Sequence, residues 1–288
     1  MKRKLSILII LIATLLFNFG CSNKSDRSTS EENSMETSNL ESKNDDKNKS
    51  NEKEESNKDS SNDNANTEIS EEEQQKQQNE KYIICIDPGH QSKGDMSKEP
   101  IGPGSSEQKF KVSWGTQGVS TNIPEYELTL QASKILKVDL EQMGFKVIMT
   151  RQTNDVNITN SERAIFANEN NADLVIRIHA DGSENSSVNG ASLHIPSHDG
   201  QYTKSIYGES NKCAQVIYNE MVNSGFKVND IYERSDLTGF NWSEVPAVLV
   251  EMGFMSNPEE DKKLAEESYQ KKMMDSISSA IQSYFNNK

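Results

Sequence analysis

The segment YIICIDPGH, residues 82–90, decides how this chain can fold. Its first five residues are apolar on both faces of an extended chain, which is typical of a strand buried inside a parallel sheet. Three later runs have the same character: residues 146–150, 173–178 and 247–250. We therefore predict an α/β fold, a single domain whose mostly parallel twisted sheet is flanked by helices.

Apolar residues at helical spacing predict four helices between and after these strands: residues 127–143, 161–170, 211–224 and 258–285. Gly144 is a stop signal for the first helix, and Ser161 is the expected N-cap of the second. Residues 91–122 are rich in Gly, Ser, Lys and Gln and interrupt the pattern. We predict a long surface loop there, and loops of this length in a compact domain are often functional.

The N-terminus has the parts of an export signal. Residues 2–4 are basic, residues 5–19 are mainly apolar, and Gly20 precedes Cys21. The apolar run is shorter than the roughly 20 residues that span a bilayer. Residues 1–21 resemble a bacterial lipoprotein signal, so we expect export, a lipid on Cys21, and anchoring to the outer face of the cytoplasmic membrane, facing the cell wall.

Residues 22–80 are almost free of aliphatic side chains and contain 17 acidic against 8 basic residues. Such a segment buries too little apolar surface to offset its ordering entropy, so we predict a disordered tether before a folded domain at 81–288. The chain carries a net charge of −14, which argues against nucleic acid as a partner. Cys85 and Cys213 lie in apolar contexts and are expected to be small buried hydrophobic residues.

Three of the predicted strands lead into side chains that bind metals or move protons. His90 follows the first strand closely, His179 follows residue 178, and Glu251 follows residue 250. The carboxyl ends of parallel strands meet at one edge of a sheet, so these residues can share a crevice. A catalytic zinc takes three protein ligands and one water.

A carboxylate must therefore join the two histidines. The candidates for this third ligand are Glu125, Glu127, Asp87 and Asp181. Spacing alone does not select among them.

Five collinear segments carry a family resemblance. They are IDPGH at 86–90, PEYELTLQAS at 124–133, MTRQTND at 149–155, ADLVIRIHADGS at 172–183 and PAVLVEMGFMSNPEE at 246–260. Together they resemble the zinc-dependent N-acetylmuramoyl-L-alanine amidases of the type 3 family, over nearly all of residues 81–288. The resemblance implies cleavage of the amide between N-acetylmuramic acid and L-alanine in bacterial peptidoglycan.

The resemblance also implies roles for individual residues. One zinc ion would be held by His90, Glu125 and His179, with Glu127 as the alternative carboxylate, and Glu251 would be the catalytic carboxylate. Arg151 and Arg163 stand where the family also has arginine, and we interpret them as structural ion-pair residues. One position departs from the family pattern, because Asp181 stands where asparagine is frequent.

Two other functions are compatible with the same residues. A zinc peptidase acting on stem or crossbridge peptides would share the metal ligands, and a non-catalytic wall-binding protein would share the fold. Trp114 and Trp242 lie in loop-like regions, where each either stacks on a sugar or packs on its own domain. The sequence identifies no activator protein.

Overall fold

The computed structural model describes residues 70–288. The expected signal segment with Cys21 and residues 22–69 of the expected tether lie outside the described residues. Within the described range, no helix is long and apolar enough to cross a membrane.

A six-stranded sheet organises the domain. In chain order, the strands of residues 70–288 are β1 (Ile83–Pro88), β2 (Asp95–Pro100), β3 (Gln108–Val112), β4 (Lys146–Met149), β5 (Leu174–Asp181), β6 (Ala191–Pro196), β7 (Val228–Arg234) and β8 (Ala247–Phe254). The sheet has the order β4-β1-β5-β8-β6-β7, and all neighbours are parallel except β6 and β8. The predicted α/β fold with a mostly parallel sheet is confirmed.

Helices cover both faces of this sheet. They are α1 (Glu71–Asn79), α2 (Glu125–Gln142), α3 (Asn160–Glu169), α4 (Lys204–Asn223), α5 (Thr238–Asn241), α6 (Pro258–Leu264) and α7 (Glu267–Asn286). Alternate residues of β1 pack on opposite faces of the sheet. Ile84 and Ile86 belong to the larger core cluster with α2, α4 and α7, whereas Cys85 belongs to the smaller cluster with α3 and α5. Cys85 and Cys213 are both free and buried, as predicted.

Three helix predictions need correction at their ends, and the first is α4, which begins at Lys204 rather than at residue 211. The N-cap of α3 is Thr159 rather than Ser161, because the Thr159 hydroxyl accepts from Glu162 N while the Glu162 side chain accepts from Thr159 N. Such a reciprocal capping box satisfies two backbone donors at once. The helix predicted at 258–285 is two helices, because Glu266 is extended and the Gln270 side chain caps the Leu264 carbonyl at 2.8 Å.

The predicted loop at 91–122 contains an antiparallel hairpin of β2 and β3. Ile101 and Val112 are buried, and Glu99 at the end of β2 accepts from Ser161 N, so the hairpin is fastened to α3. Polar composition concealed these strands. The same holds for the edge strand β7, most of whose residues are not buried.

The tether prediction is wrong for its last residues, because residues 71–79 form helix α1. Asn79 is buried and donates from Nδ2 to Met143 O at 2.7 Å, at the end of α2. Gln75 Nε2 also donates to Asn286 Oδ1 at 2.8 Å, near the end of α7. The folded unit therefore starts before residue 81.

We expect Thr159→Ala to lower the free energy of unfolding by about 1 kcal/mol, the usual contribution of an N-cap hydroxyl. Urea denaturation of the purified domain measures this change. The control is Ser279→Ala, at an exposed position inside α7, which should leave stability equal or slightly higher because alanine is the better helix former. Equal losses in both variants would contradict the capping role of Thr159.

Candidate metal centre

The carboxyl ends of three neighbouring strands bring the predicted site residues together. β1, β5 and β8 are adjacent in the sheet, and His179 on β5 pairs in register with Glu251 on β8. His90 lies two residues beyond β1, where it has a positive φ of 58°. This backbone conformation is uncommon outside glycine and turns the chain sharply after the strand.

Glu125, the first residue of α2, completes the cluster. Its Oε1 lies 3.1 Å from His90 Nε2 and 3.1 Å from His179 Nδ1. One ligand atom from each of these three residues lies within 4.8 Å of the others. Glu127, Asp87 and Asp181 are not in this group of three.

Two glycines let the backbone approach the side chains of this cluster closely. A Cβ at residue 89 would lie 2.4 Å from His179 Cε1, so only glycine lets the loop after β1 pass over the imidazole. At Gly115, a Cβ would lie 2.8 Å from Glu125 Oε2. The backbone at these two positions therefore forms part of the wall around the cluster.

Backbone groups fix the orientation of two of the three side chains. His90 Nδ1 lies 3.0 Å from Ser113 O, so that nitrogen donates, and Nε2 faces Glu125 Oε1 at 3.1 Å. Glu125 accepts from Thr116 N at 2.9 Å and from Ala180 N at 3.2 Å. Partners of this kind hold metal ligands in place.

The protonation states of His179 and Glu125 favour the binding of a cation. Burial lowers the pKa of His179 to about 4, so its ring is neutral at pH 7, and its buried Nε2 has no hydrogen-bond partner in the described structure. Burial opposes ionisation of Glu125, but the hydrogen bonds from His179 and His90 outweigh it and hold the Glu125 pKa far below its usual range. The cluster thus presents two imidazoles and one carboxylate, a donor set that zinc accepts.

Glu251 stands beside the cluster and outside it. Burial and then the negative charge of Glu125 raise the pKa of Glu251 well above its usual value. Its Oε2 is buried without a partner among residues 70–288. A carboxylate with a free oxygen beside these three residues can accept or return a proton.

A buried charge network lies beneath the His90 loop. Asp87 Oδ1 accepts from Arg163 Nη1 at 2.8 Å, and Asp87 Oδ2 accepts from Arg177 Nε at 2.8 Å. Burial works against the ionised form, but Arg163 and Arg177 hold the pKa of Asp87 well below its usual range. Arg163 Nη2 also donates to His90 O at 2.9 Å, which connects the network to the metal site.

The two arginines singled out in the sequence act differently. Arg163 is an ion-pair residue, as predicted. Arg151 donates mainly to carbonyl oxygens, including those of Pro88 at 3.0 Å and Gly89 at 2.8 Å, rather than to a carboxylate. Arg177 was not predicted, although an arginine between Ile176 and Ile178 in a buried strand is a recognisable signal.

A cleft of about 600 Å³ opens over the cluster. Trp114, with 58% of its surface exposed, lines this cleft together with Thr116, Val119 and Glu184. Trp242 is half-buried and donates from Nε1 to Pro100 O at 3.0 Å, so it packs on its own domain. Of the two tryptophans, Trp114 is the one positioned to meet a ligand.

Comparison with known proteins decides the family. The N-acetylmuramoyl-L-alanine amidase family matches residues 84–283, more than half of the chain. The chain belongs to this family. Its N-acetylmuramoyl-L-alanine amidase relative in Mycobacterium tuberculosis is 30% identical over 188 residues, which are 61% of this chain and 75% of that protein.

Solved amidase structures share the fold. The N-acetylmuramyl-L-alanine amidase of Mycobacterium smegmatis matches with a TM-score of 0.66 and 26% identity, covering 72% of this chain and 98% of that chain. The N-acetylmuramoyl-L-alanine amidase of Clostridium difficile 630 matches with a TM-score of 0.58 and 26% identity, with coverage of 72% and 98%. The amidase fold therefore accounts for nearly all of those two solved chains.

We expect Asp87→Asn to lower the free energy of unfolding of this amidase domain by about 3 kcal/mol, because two buried arginines would lose their shared counterion. The control is Asp275→Asn, which removes an exposed ion pair with Lys271 and should change stability by less than about 1 kcal/mol. Urea denaturation of both variants measures the difference. Similar values for the two would show that the buried network contributes little.

Proposed function

We propose that the chain is a zinc-dependent peptidoglycan amidase that hydrolyses the bond between the lactyl carbonyl of N-acetylmuramic acid and L-alanine. The observation that carries this proposal is the group of His90, Glu125 and His179 beside Glu251, at the base of an open cleft, in a chain of this amidase family. Each residue comes from a different segment of the chain, so their convergence is a property of the folded domain.

The three residues of the cluster would hold one zinc ion. They supply two imidazoles and one carboxylate, and the buried Nε2 of His179 has no hydrogen-bond partner among residues 70–288. Zinc at this position would polarise the scissile carbonyl and acidify a water molecule. Ser113 O and Thr116 N keep His90 and Glu125 aligned for that task.

Glu251 would act as the general base and then as the general acid. Its free Oε2 would take a proton from the attacking water and deliver it to the departing amine of L-alanine. Trp114 would lie along the sugar side of the cleft, where an exposed aromatic face suits a saccharide.

We also propose that the enzyme works outside the cytoplasmic membrane, tethered through residues 22–69. The sequence of residues 1–21 supports export and a lipid on Cys21. Helix α1 contacts the end of α2, whereas Glu125 is at its start. Since α2 has 18 residues, roughly 27 Å at 1.5 Å per residue separates the contact between Asn79 and Met143 from Glu125. The tether therefore joins the domain away from the cleft.

We expect His90→Ala and His179→Ala to lose zinc, because each removes one of three ligands. Atomic absorption after dialysis should give about one zinc per chain for the unchanged protein and a small fraction of that for both variants. His198→Ala is the control, since that side chain is exposed, pairs with Glu233 and lies outside the cluster. Full zinc content in either cluster variant would overturn the ligand assignment.

We expect Glu251→Gln to retain zinc and to lose turnover by at least about 100-fold, which is the usual contribution of a general base. Turnover is followed by mass spectrometry of digested peptidoglycan, in which an amidase releases peptides with a free L-alanine amino terminus. Glu244→Gln, at an exposed position outside the cleft, should keep full activity.

Three results would reject parts of this proposal. Peptides cut elsewhere in the stem or crossbridge would identify a peptidase, and zinc binding without turnover in the unchanged protein would identify a binding module. Full activity of the Glu251→Gln variant would remove the proton-transfer role.

A further inference from the structure

A second cavity adjoins the metal cluster. It has a volume of about 200 Å³ and shares His90, His179 and Glu251 with the cleft, but Trp114 does not line it. Its remaining walls include five residues that define what we call the arginine cavity: Arg177, His194, Arg234, Thr238 and Gly239. The cluster therefore has binding space on two sides.

Arg177 presents unused donors to the arginine cavity. Only 7% of its side chain is exposed, and its Nε donates to Asp87 Oδ2 at 2.8 Å. Within residues 70–288 the guanidinium of Arg177 makes no other hydrogen bond, so both of its Nη groups are available to a ligand. A Cβ at Gly239 would lie 1.9 Å from Arg177 Nη1, which shows that the guanidinium lies directly against the backbone of the cavity wall.

Arg234 contributes a second guanidinium. Its Nε and Nη2 pair with Asp236 at 2.7 and 3.0 Å, and its Nη1 lies 3.4 Å from His194 Nδ1. Lys109 also pairs with Asp236 at 3.1 Å, so one carboxylate is shared by two cations. Burial and the charge of Arg234 lower the pKa of His194 to about 4, so this neighbour is neutral at pH 7.

The charges around this cavity are unevenly distributed. Asp87 is shared by Arg163 and Arg177, just as Asp236 is shared by Arg234 and Lys109. Glu251, the acid that lines the cavity, stands at the end shared with the metal cluster. The lining of the cavity thus has two guanidinium groups against one carboxylate, and a planar guanidinium matches a carboxylate in shape and charge.

We propose that the arginine cavity binds a carboxylate on the peptide side of the scissile amide, with Arg177 and Arg234 as donors. This inference rests on the proposed amidase function. The muramoyl side of that bond offers hydroxyl and acetamido groups, whereas the stem peptide carries free carboxylates. The substrate would then lie with its sugar toward Trp114 and its peptide toward Arg234, across the cluster.

The test uses two substrates that differ at one group. With the γ-carboxyl blocked as a methylamide in both, the N-acetylmuramoyl-L-alanyl-D-glutamate derivative carries one free carboxylate, and the N-acetylmuramoyl-L-alanyl-D-isoglutamine derivative carries an amide in its place. For the zinc-loaded full chain, we expect kcat/KM to favour the acid by about 10-fold or more, the usual effect of a charge-assisted hydrogen bond. Arg234→Gln should bring this ratio close to one, and Arg234→Lys should restore part of it.

The ratio separates recognition from indirect effects. Arg234 also interacts electrostatically with Glu251, so its loss can change the rate on both substrates. A change that affects both substrates equally cancels when kcat/KM for the acid is divided by kcat/KM for the amide. Lys262→Gln is the matched control, because it removes a positive charge from an exposed pair with Glu259 and should leave the ratio unchanged.

The outcomes distinguish the two proposals. Equal hydrolysis of the acid and the amide by the unchanged protein would overturn the carboxylate site and leave the amidase function standing. A preference for the acid that persists in Arg234→Gln would also overturn it. Hydrolysis of neither substrate would reject the amidase function, and this inference with it.

Discussion

The candidate metal centre depends on one buried carboxylate, Asp87, which is almost inaccessible to solvent and shared between Arg163 and Arg177. These three residues belong to β1, α3 and β5, so the network joins three elements directly beneath the loop that presents His90. A buried carboxylate and two guanidinium groups are expensive to desolvate, and they persist only when each is paired. Arg163 also donates to the backbone oxygens of Pro88 and His90, and these hydrogen bonds stabilise the irregular loop after β1.

Local strain concentrates at this loop. His90 adopts a positive φ, and Gly89 passes so close to His179 that a side chain would not fit. Strained backbone of this kind persists where the surrounding structure determines it, as it does at many functional sites. Around the cluster, Ser113 O, Thr116 N and Ala180 N orient the side chains, so much of its support is main chain rather than side chain.

Prediction from sequence succeeded where a pattern is long and apolar. The strands at β1, β4, β5 and β8 and the helix α2 were recognised because buried elements repeat hydrophobic residues with a fixed period. Prediction failed where an element is polar or is stabilised by a few side-chain bonds. The hairpin of β2 and β3, the edge strand β7 and helix α1 are of that type, and the cap at Thr159 depends on a reciprocal bond with Glu162.

The sequence by itself determined the α/β fold and the family resemblance, because both are expressed in contiguous segments whose residue types recur in order. It also placed His90, His179 and Glu251 near strand ends, although spacing left the carboxylate ligand open among Glu125, Glu127, Asp87 and Asp181. Only the tertiary structure brought Glu125 within 3.1 Å of both histidines, revealed Arg177 and Arg234 around a second cavity, and buried the Oε2 atom of Glu251. The physical reason is that distance and burial depend on how distant segments pack, and no local pattern encodes them.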